Sequence, residues 1–219
     1  MSLFVTFEGP DGAGKSTQVR LVADLLRKSG THVVLTREPG GTPLGERIRS
    51  VLLDPGECAI VPRAEALLMS AARSQHVSEV IQPALEDGAI VLCDRFVDST
   101  LAYQGAGRGL SVPALTKLQE FAVESLKPDL TILLDLPPSS GIQRRRESGI
   151  PLNRLDEDDL AFHQRVREWY VQEARQHPER WTVLDATRPE GELAVEIAEL
   201  IRVRGRTGEL NAGTNRVSG

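Results

Sequence analysis

The 219-residue sequence has few lysines, aromatic residues and cysteines. Of its 26 cationic residues only 4 are lysine, and 31 acidic residues bring the formal net charge to −5. Aromatic residues make up 4% of the chain, which leaves little material for a surface that stacks nucleic-acid bases. The two cysteines, Cys58 and Cys93, are too few for a disulfide framework or a metal site. These shortages exclude a basic nucleic-acid-binding chain and a disulfide-stabilised secreted domain.

Long apolar runs are missing as well. No segment approaches the roughly 20 apolar residues that a membrane span requires, and the first residues lack the features of a signal peptide. We therefore expect a cytoplasmic protein with neither a membrane nor a nucleic acid as partner. The composition, 40% apolar and 26% charged, indicates one globular domain, which we place at residues 1–203. Residues 204–219 are rich in Gly, Asn, Thr and Arg and are predicted to form a disordered tail.

Short β-rich runs alternate along the chain with longer helical patterns. The predicted strands are Leu3–Phe7, His32–Thr36, Ile90–Cys93, Leu130–Leu136 and Trp181–Leu184. Between them lie amphipathic stripes such as Val19, Val22 and Leu26, and the longest helical pattern covers residues 63–86, with Pro83 expected to kink or shorten it. This alternation is typical of a parallel sheet with helices on both faces. The sequence therefore predicts a three-layer α/β/α fold around five parallel strands.

A glycine-rich loop follows the first predicted strand. Residues 9–16 fit the pattern G-x-x-x-x-G-K-[ST] and lie directly before a predicted helix. In such a loop the backbone N–H groups cradle phosphates, the lysine reaches the β- and γ-phosphates, and the hydroxyl can bind Mg²⁺. The predicted ATP-binding residues are Gly9, Pro10, Asp11, Gly12, Ala13, Gly14, Lys15, Ser16 and Thr17. We also assign Lys15 a catalytic role and Ser16 a place at the metal.

Charged residues follow two other predicted strands. Asp94 and Arg95 end the third strand, and Arg37 follows the second in a loop with two glycines. Since the carboxyl ends of parallel strands meet at one crevice, Asp94 can hold Mg²⁺, directly or through water, and both arginines can bind a phosphate. Asp135, at the end of the fourth strand, is a rival for the metal-linked carboxylate. The residues alone leave this choice open.

The order and spacing of four segments resemble those of bacterial thymidylate kinases, a family of P-loop nucleoside monophosphate kinases. The segments are residues 8–17, 36–42, 71–73 and 94–105, and the agreement extends from residue 3 to about 200. The resemblance implies transfer of the γ-phosphoryl group of ATP to dTMP, with Mg²⁺, in a homodimer. We keep two alternatives: a kinase of this fold with another acceptor, such as a deoxynucleoside, and a regulatory protein that binds ATP without catalysis.

The resemblance also implies an acceptor site. Its predicted dTMP-binding residues are Asp11, Arg37, Met69, Arg73, Arg95, Ser99, Thr100, Tyr103 and Gln104. In the family's pattern Asp11 contacts the 3′-hydroxyl, Arg37 and Arg95 hold the phosphate, and Arg73 hydrogen-bonds thymine, while Tyr103 crowds a 2′-hydroxyl. The chain departs from this pattern at Met69, where the family has an aromatic ring that stacks on the base. A thioether can contact the base, but the stack should be weaker.

The family differs internally in whether the catalytic arginine lies in the phosphate-binding loop or in a lid. This loop has Gly12 and Ala13 instead of arginine, so the resemblance implies that the lid supplies it. We place a short mobile lid at about residues 137–156, where prolines and glycines surround several arginines. Arg146 and Arg154 are the predicted catalytic residues of the lid, beside Arg95 in the crevice.

Overall fold

The computed structural model describes residues 2–54, 59–147, 149 and 158–214. Its centre is a five-stranded sheet in which all neighbouring strands are parallel. The strands are Leu3–Glu8 (β1), Val33–Arg37 (β2), Ile90–Asp94 (β3), Leu130–Asp135 (β4) and Trp181–Asp185 (β5). No bound differs by more than one residue from its predicted position. The prediction of five parallel strands is confirmed.

The strand order β2-β3-β1-β4-β5 puts β1 at the middle of the sheet. Phe7 of β1 lies opposite Asp94 of β3, and Glu8 lies opposite Leu133 of β4. The loops that leave β1 and β3 therefore start side by side at the same edge. In open parallel sheets ligands bind in the crevice at this edge, so the order of the strands brings the glycine-rich loop next to Asp94 and Arg95.

Helices cover both faces of the sheet. They are Lys15–Lys28 (α1), Pro43–Leu53 (α2), Pro62–His76 (α3), Gln82–Glu86 (α4), Val97–Thr100 (α5), Val112–Val123 (α6), Pro138–Glu147 (α7), Leu160–Gln176 (α8) and Glu190–Thr214 (α9). Leu3, Val5 and Phe7 of β1 pack with buried side chains of α1 and α9. Phe4 points to the opposite face and packs in a second cluster that includes Ala122 of α6. The three-layer prediction is confirmed.

The long helical pattern is present, with an irregularity just before Pro83. α3 begins at Pro62, passes through a π-helical turn at Val77–Ile81, and continues as α4 to Glu86. The disturbance thus lies before Pro83, which occupies the first turn of α4. The π-helical turn contains Glu79, whose carbonyl lies four residues before Pro83 and cannot receive a backbone N–H from a proline.

Two segments predicted to be irregular contain helix. In the lid segment, residues 138–147 form α7, and Gly141 approaches the backbone of Gly12 so closely that a Cβ atom on either glycine would collide with the other residue or its neighbour. This part of the lid is packed on the glycine-rich loop. The rest of the lid, except residue 149, lies outside the described residues. α9 is buried in the core at Ile197 and Ile201 and continues past residue 204, where we placed the start of the tail, to Thr214.

Candidate active site

The glycine-rich loop has the conformation that phosphate binding requires. Gly9, Gly12 and Gly14 have φ angles of 138°, 76° and 85°, which residues with a Cβ atom rarely adopt. Lys15 begins α1, and its Nζ donates to the carbonyl oxygens of Gly9 (3.0 Å) and Pro10 (2.8 Å). Burial lowers the pKa of Lys15 to about 8, with Arg95 contributing in the same direction. The loop thus surrounds a buried cation at the N-terminus of a helix.

The two candidate carboxylates for the metal have different partners in the structure. Ser16 Oγ donates a short hydrogen bond to Asp94 Oδ2, so the hydroxyl and the carboxylate already lie together. Asp135 instead accepts two hydrogen bonds from Arg167, at 2.7 and 2.8 Å. Within the described ranges no three His, Cys, Asp or Glu residues are grouped to hold an ion. Two oxygen ligands suit Mg²⁺ when a nucleotide supplies the others.

A cavity beside the loop forms the candidate donor site. Its lining includes residues 11–18, Arg37, Glu38, Arg49, Asp94, Arg95, Arg144, Arg145, Ala186, Arg188, Glu190 and Leu193. The residues after β5 were missed because nothing in their sequence marks a ligand site. Arg144 Nη1 donates to the carbonyl oxygen of Ala186 (3.0 Å), which joins the lid helix to this wall.

The lid arginines differ in where they lie. Arg144 and Arg145 line the donor cavity, whereas Arg146 lines neither it nor the acceptor cavity described below. Consecutive residues of a helix point about 100° apart, so three adjacent arginines cannot share one site. Arg154 lies outside the described residues. In this conformation the structure therefore brings Arg144 and Arg145 to the crevice in place of Arg146.

A second cavity contains almost the whole predicted acceptor set. Asp11, Met69, Arg73, Arg95, Ser99, Thr100, Tyr103 and Gln104 line it, together with Glu38, Pro39, Arg49 and Leu53. Of the predicted residues only Arg37 is outside this lining. Its side chain is exposed and donates to both carboxylate oxygens of Glu46, at 3.1 and 3.0 Å.

Arg95 is the most constrained side chain of the site. Its backbone has a φ angle of 74°, and its Nη2 donates to Asp11 Oδ1 (2.6 Å) and Tyr103 OH (3.0 Å). Tyr103 in turn donates to Asp11 Oδ2 (2.8 Å). Burial opposes the ionisation of Asp11, but the charges of Arg95 and Lys15 outweigh it and lower its pKa. Asp11 is therefore a carboxylate at neutral pH.

Arg73 is placed by contacts that the sequence did not reveal. Its side chain is 2% exposed, and Nε donates to Glu38 Oε2 at 2.6 Å. Its two terminal nitrogens donate to Thr100, Gln119 and the carbonyl oxygen of Phe96. Four of the five N–H donors of a guanidinium are thus engaged within the protein. Arg73 lines the cavity, but most of its hydrogen bonds hold neighbouring protein groups together. Its partner Glu38 also lines the cavity and was not predicted from the sequence.

Arg49 of α2 is a second residue that the sequence did not single out. It lines both cavities, and its Nη1 donates to the carbonyl oxygen of Pro39 (3.0 Å). Burial, followed by the nearby charge of Arg37, lowers the pKa of Arg49. A crevice in which a nearby cation lowers the pKa of a buried arginine favours the binding of an anion. Its sequence signal was weak, because an arginine within an amphipathic helix is usually a solvated residue.

Comparisons with known proteins agree with this arrangement. The family model described as thymidylate kinase matches residues 7–197. A thymidylate kinase from Thermomicrobium roseum is 59% identical over 189 residues, which cover 86% of this chain and 89% of that protein. One from Deinococcus radiodurans is 54% identical over 203 residues, covering 93% and 98%.

A solved structure has the same fold. The crystal structure of thymidylate kinase from Ehrlichia chaffeensis superposes with a TM-score of 0.73 at 34% identity, covering 91% of this chain and 98% of that one. No helix in the part of the chain that the structure describes has the length and hydrophobicity to cross a bilayer. On the family match and these relatives, the chain belongs to the thymidylate kinase family.

Proposed function

We propose that the protein transfers the γ-phosphoryl group of ATP to dTMP, giving ADP and dTDP, in the cytoplasm. The observation that carries this proposal is the shared wall of the two cavities. Asp11, Glu38, Arg49 and Arg95 line both of them. A donor bound by the loop and an acceptor bound beside Met69 would meet at this wall, where two arginines face the transferring group.

On the donor side, Lys15 would bind the β- and γ-phosphates and Ser16 and Asp94 would hold Mg²⁺. The hydrogen-bonded hydroxyl and carboxylate supply the hard oxygen ligands that this ion prefers. When bound, Mg²⁺ neutralises phosphate charge. Arg144 and Arg145 are the lid arginines whose position in the donor cavity favours a role in closing over the triphosphate. Arg154 stays a candidate on the sequence evidence.

On the acceptor side, the roles follow from position. Arg95 and Arg49 would bind the dTMP phosphate, and Asp11 would accept a hydrogen bond from the 3′-hydroxyl. Tyr103 is held by Asp11 and Arg95, so its ring is fixed where it would exclude a 2′-hydroxyl. Met69, Ser99, Thr100 and Gln104 would complete the pocket for base and sugar, with Arg73 as its rigid wall. Arg37 would approach the phosphate after release from Glu46.

The chemistry asked of these residues is alignment and charge neutralisation. Phosphoryl transfer has a loose transition state with charge spread over the equatorial oxygens, and the protein forms no covalent bond with the group. Preorganised cations in a desolvated crevice stabilise that charge without reorganisation. The guanidinium groups of Arg49 and Arg95 are held by hydrogen bonds within the protein, and the site is therefore suited to this reaction.

A coupled assay of ADP formation tests the proposal. The purified chain is given ATP and Mg²⁺ with dTMP, dUMP, dCMP, dAMP, dGMP or thymidine, and each reaction is repeated with excess EDTA. We expect Mg²⁺-dependent turnover that is fastest with dTMP. Preference for thymidine would contradict the acceptor assignment, whereas ATP binding without turnover on any monophosphate would favour a regulatory protein.

The Met69→Phe variant is expected to bind dTMP about threefold to tenfold more tightly than the wild type. Met69 lines the acceptor cavity on α3, one turn before Arg73, and an aromatic ring there can stack on thymine, which contributes more than a thioether contact. Calorimetric titration with dTMP measures the change. Val195→Phe is the matched control, because Val195 is 60% exposed on α9 and lines neither cavity. Unchanged or weaker binding by Met69→Phe would show that residue 69 does not face the base.

We also propose that the chain forms a homodimer through the outer face of α2, α3 and α6. α3 packs between α2 and α6, and large apolar side chains stand exposed on all three helices: Leu44, Val51, Leu67 and Phe121. Phe121 is 85% exposed, and large exposed apolar side chains on neighbouring helices favour a protein interface. The Phe121→Glu variant is therefore expected to sediment as a monomer where the wild type sediments as a dimer. A wild-type monomer would contradict the proposal.

A further inference from the structure

We propose that Glu8 is a positioning residue for Arg95. The inference rests on the proposed function, in which Arg95 binds the acceptor phosphate. Glu8 is the last residue of β1, and its side chain is fully buried. It lines neither the donor nor the acceptor cavity, so any effect on the reaction has to pass through another residue.

The contacts of Glu8 converge on the segment that carries Arg95. Its Oε1 accepts a hydrogen bond from the backbone N–H of Phe96 (2.8 Å). Its Oε2 accepts from Ser99 Oγ (2.6 Å) and from Tyr170 OH (2.8 Å). The carboxylate therefore joins the start of α5 to α8 at a point directly behind the crevice.

The first contact fixes the backbone of Arg95. A φ angle of 74° is unfavourable for a residue with a Cβ atom and persists only where the surroundings impose it. The N–H of Phe96 belongs to the peptide bond that follows Arg95, and Glu8 holds that N–H in place. Arg95 N–H is bound on its other side to the carbonyl oxygen of Phe7 (3.0 Å). Two neighbouring residues of β1 thus hold Arg95 in this conformation.

The second contact fixes the guanidinium group. Arg95 Nη1 donates to Ser99 Oγ (3.0 Å) and lies 3.5 Å from Tyr170 OH, and both hydroxyls contact Glu8 Oε2. A hydroxyl that donates to a carboxylate presents its lone pairs to a second donor. Glu8 therefore orients Ser99 and Tyr170 as acceptors for Nη1 of Arg95, while Nη2 is bound by Asp11 and Tyr103 in the lining of the acceptor cavity.

The burial of an acid at this point is costly and calls for a reason. Burial, reinforced by the nearby Asp98, raises the pKa of Glu8 to about 7. A buried apolar side chain in its place would avoid that cost. Groups that keep such a cost within a functional crevice are frequently tied to its function. The geometry above supplies the function, since one carboxylate holds both the backbone and the side chain of the phosphate-binding arginine.

The Glu8→Gln variant tests this role. Its amide oxygen can still accept from Phe96, but its NH₂ group cannot accept from Ser99 or Tyr170. We expect the KM for dTMP to rise about tenfold, while kcat and the KM for ATP stay within about twofold. Glu120→Gln, an exposed carboxylate changed in the same way, is the control and should leave all three constants unchanged.

A double-mutant cycle with Arg95→Ala separates positioning from a general structural role. If Glu8 acts through Arg95, Glu8→Gln should raise the KM for dTMP no further in the Arg95→Ala background. Equal effects in both backgrounds would overturn the proposal. A lower KM for dTMP in the single variant Glu8→Gln would also overturn the proposal. It would mean that the negative charge of Glu8 only weakens the binding of the dTMP phosphate. Should Glu8→Gln fail to fold, Tyr170→Phe takes its place in the same cycle, with an expected rise of about threefold. Failure of the wild type to phosphorylate dTMP would instead contradict the proposed function.

Discussion

The Lys15→Ala variant is expected to lose a factor of about a thousand or more in kcat/KM for dTMP phosphorylation. Lys15 is 7% exposed at the start of α1, so its charge acts on bound phosphates in a poorly solvated crevice, where electrostatic interactions are strong. The same Nζ closes the loop through the carbonyl oxygens of Gly9 and Pro10. Steady-state kinetics at saturating dTMP with varied ATP measure the loss, and circular dichroism checks the fold.

Lys28→Ala is the matched control for this variant. Lys28 lies at the other end of the same helix and is exposed. The kcat/KM of the Lys28→Ala enzyme should therefore remain within about twofold of the wild-type value. A Lys15→Ala enzyme with more than about a tenth of wild-type kcat/KM would mean that the loop binds a ligand other than the triphosphate of ATP.

The charge of Lys15 also sets an expected pH dependence for ATP binding. Burial lowers the pKa of Lys15 to about 8. In the free enzyme, the fraction of Lys15 side chains that carry a positive charge therefore falls as the pH rises through 8. The KM for ATP should therefore rise between pH 7 and pH 9 in the wild type and change much less in Lys15→Ala. A fall in KM over this range would contradict the assignment of Lys15 to the phosphates.

The fold and the donor loop could be predicted because their signals are local. β1 and the loop after it are consecutive in the sequence, and the glycines at φ angles of 138°, 76° and 85° are required by the backbone itself. The alternation of apolar runs fixes the strands for the same reason. Local patterns of this kind depend on residues a few positions apart. They can be read from the sequence without knowing how distant parts of the chain pack.

The choice between Asp94 and Asp135 could not be made from the sequence. Both end a buried strand, and the difference is that Arg167, on a distant helix, engages Asp135 through two hydrogen bonds. Arg73 shows the same limit, since its partners Glu38 and Gln119 are 35 and 46 residues away. The family resemblance implied a place for Arg73 next to the base, but only the packed structure shows that most of its donors are already used.

Arg49 and Glu8 were missed for opposite reasons. Arg49 occupies a helical position where an arginine is usually a surface residue, and only its place in both cavities indicates a function. Glu8 continues an apolar strand, and its partners Phe96 and Ser99 belong to the start of α5 and to α5 itself, while Tyr170 belongs to α8. A residue that acts by holding others leaves no motif of its own, because its requirement is a set of distances across the fold.

The Arg95→Ala variant is expected to lower kcat/KM for dTMP several hundredfold and to change the KM for ATP by less than about threefold. Arg95 stands in the wall between the cavities, and its removal takes away a fixed fork of donors from the acceptor phosphate. It also leaves Asp11 without the ion pair at 2.6 Å, so the pKa of Asp11 should rise. Kinetics with varied dTMP at saturating ATP measure the effect.

Two further variants separate the geometry of Arg95 from its charge. Arg95→Lys keeps a cation but loses the planar fork, so its kcat/KM should fall between those of the wild type and Arg95→Ala. Arg175→Ala, which removes an exposed arginine of α8, should behave as the wild type. If Arg95→Ala mainly raised the KM for ATP, Arg95 would instead be assigned to the ATP-binding site. The shared wall would then belong to the triphosphate, and Arg49 would be left as the cation of the acceptor.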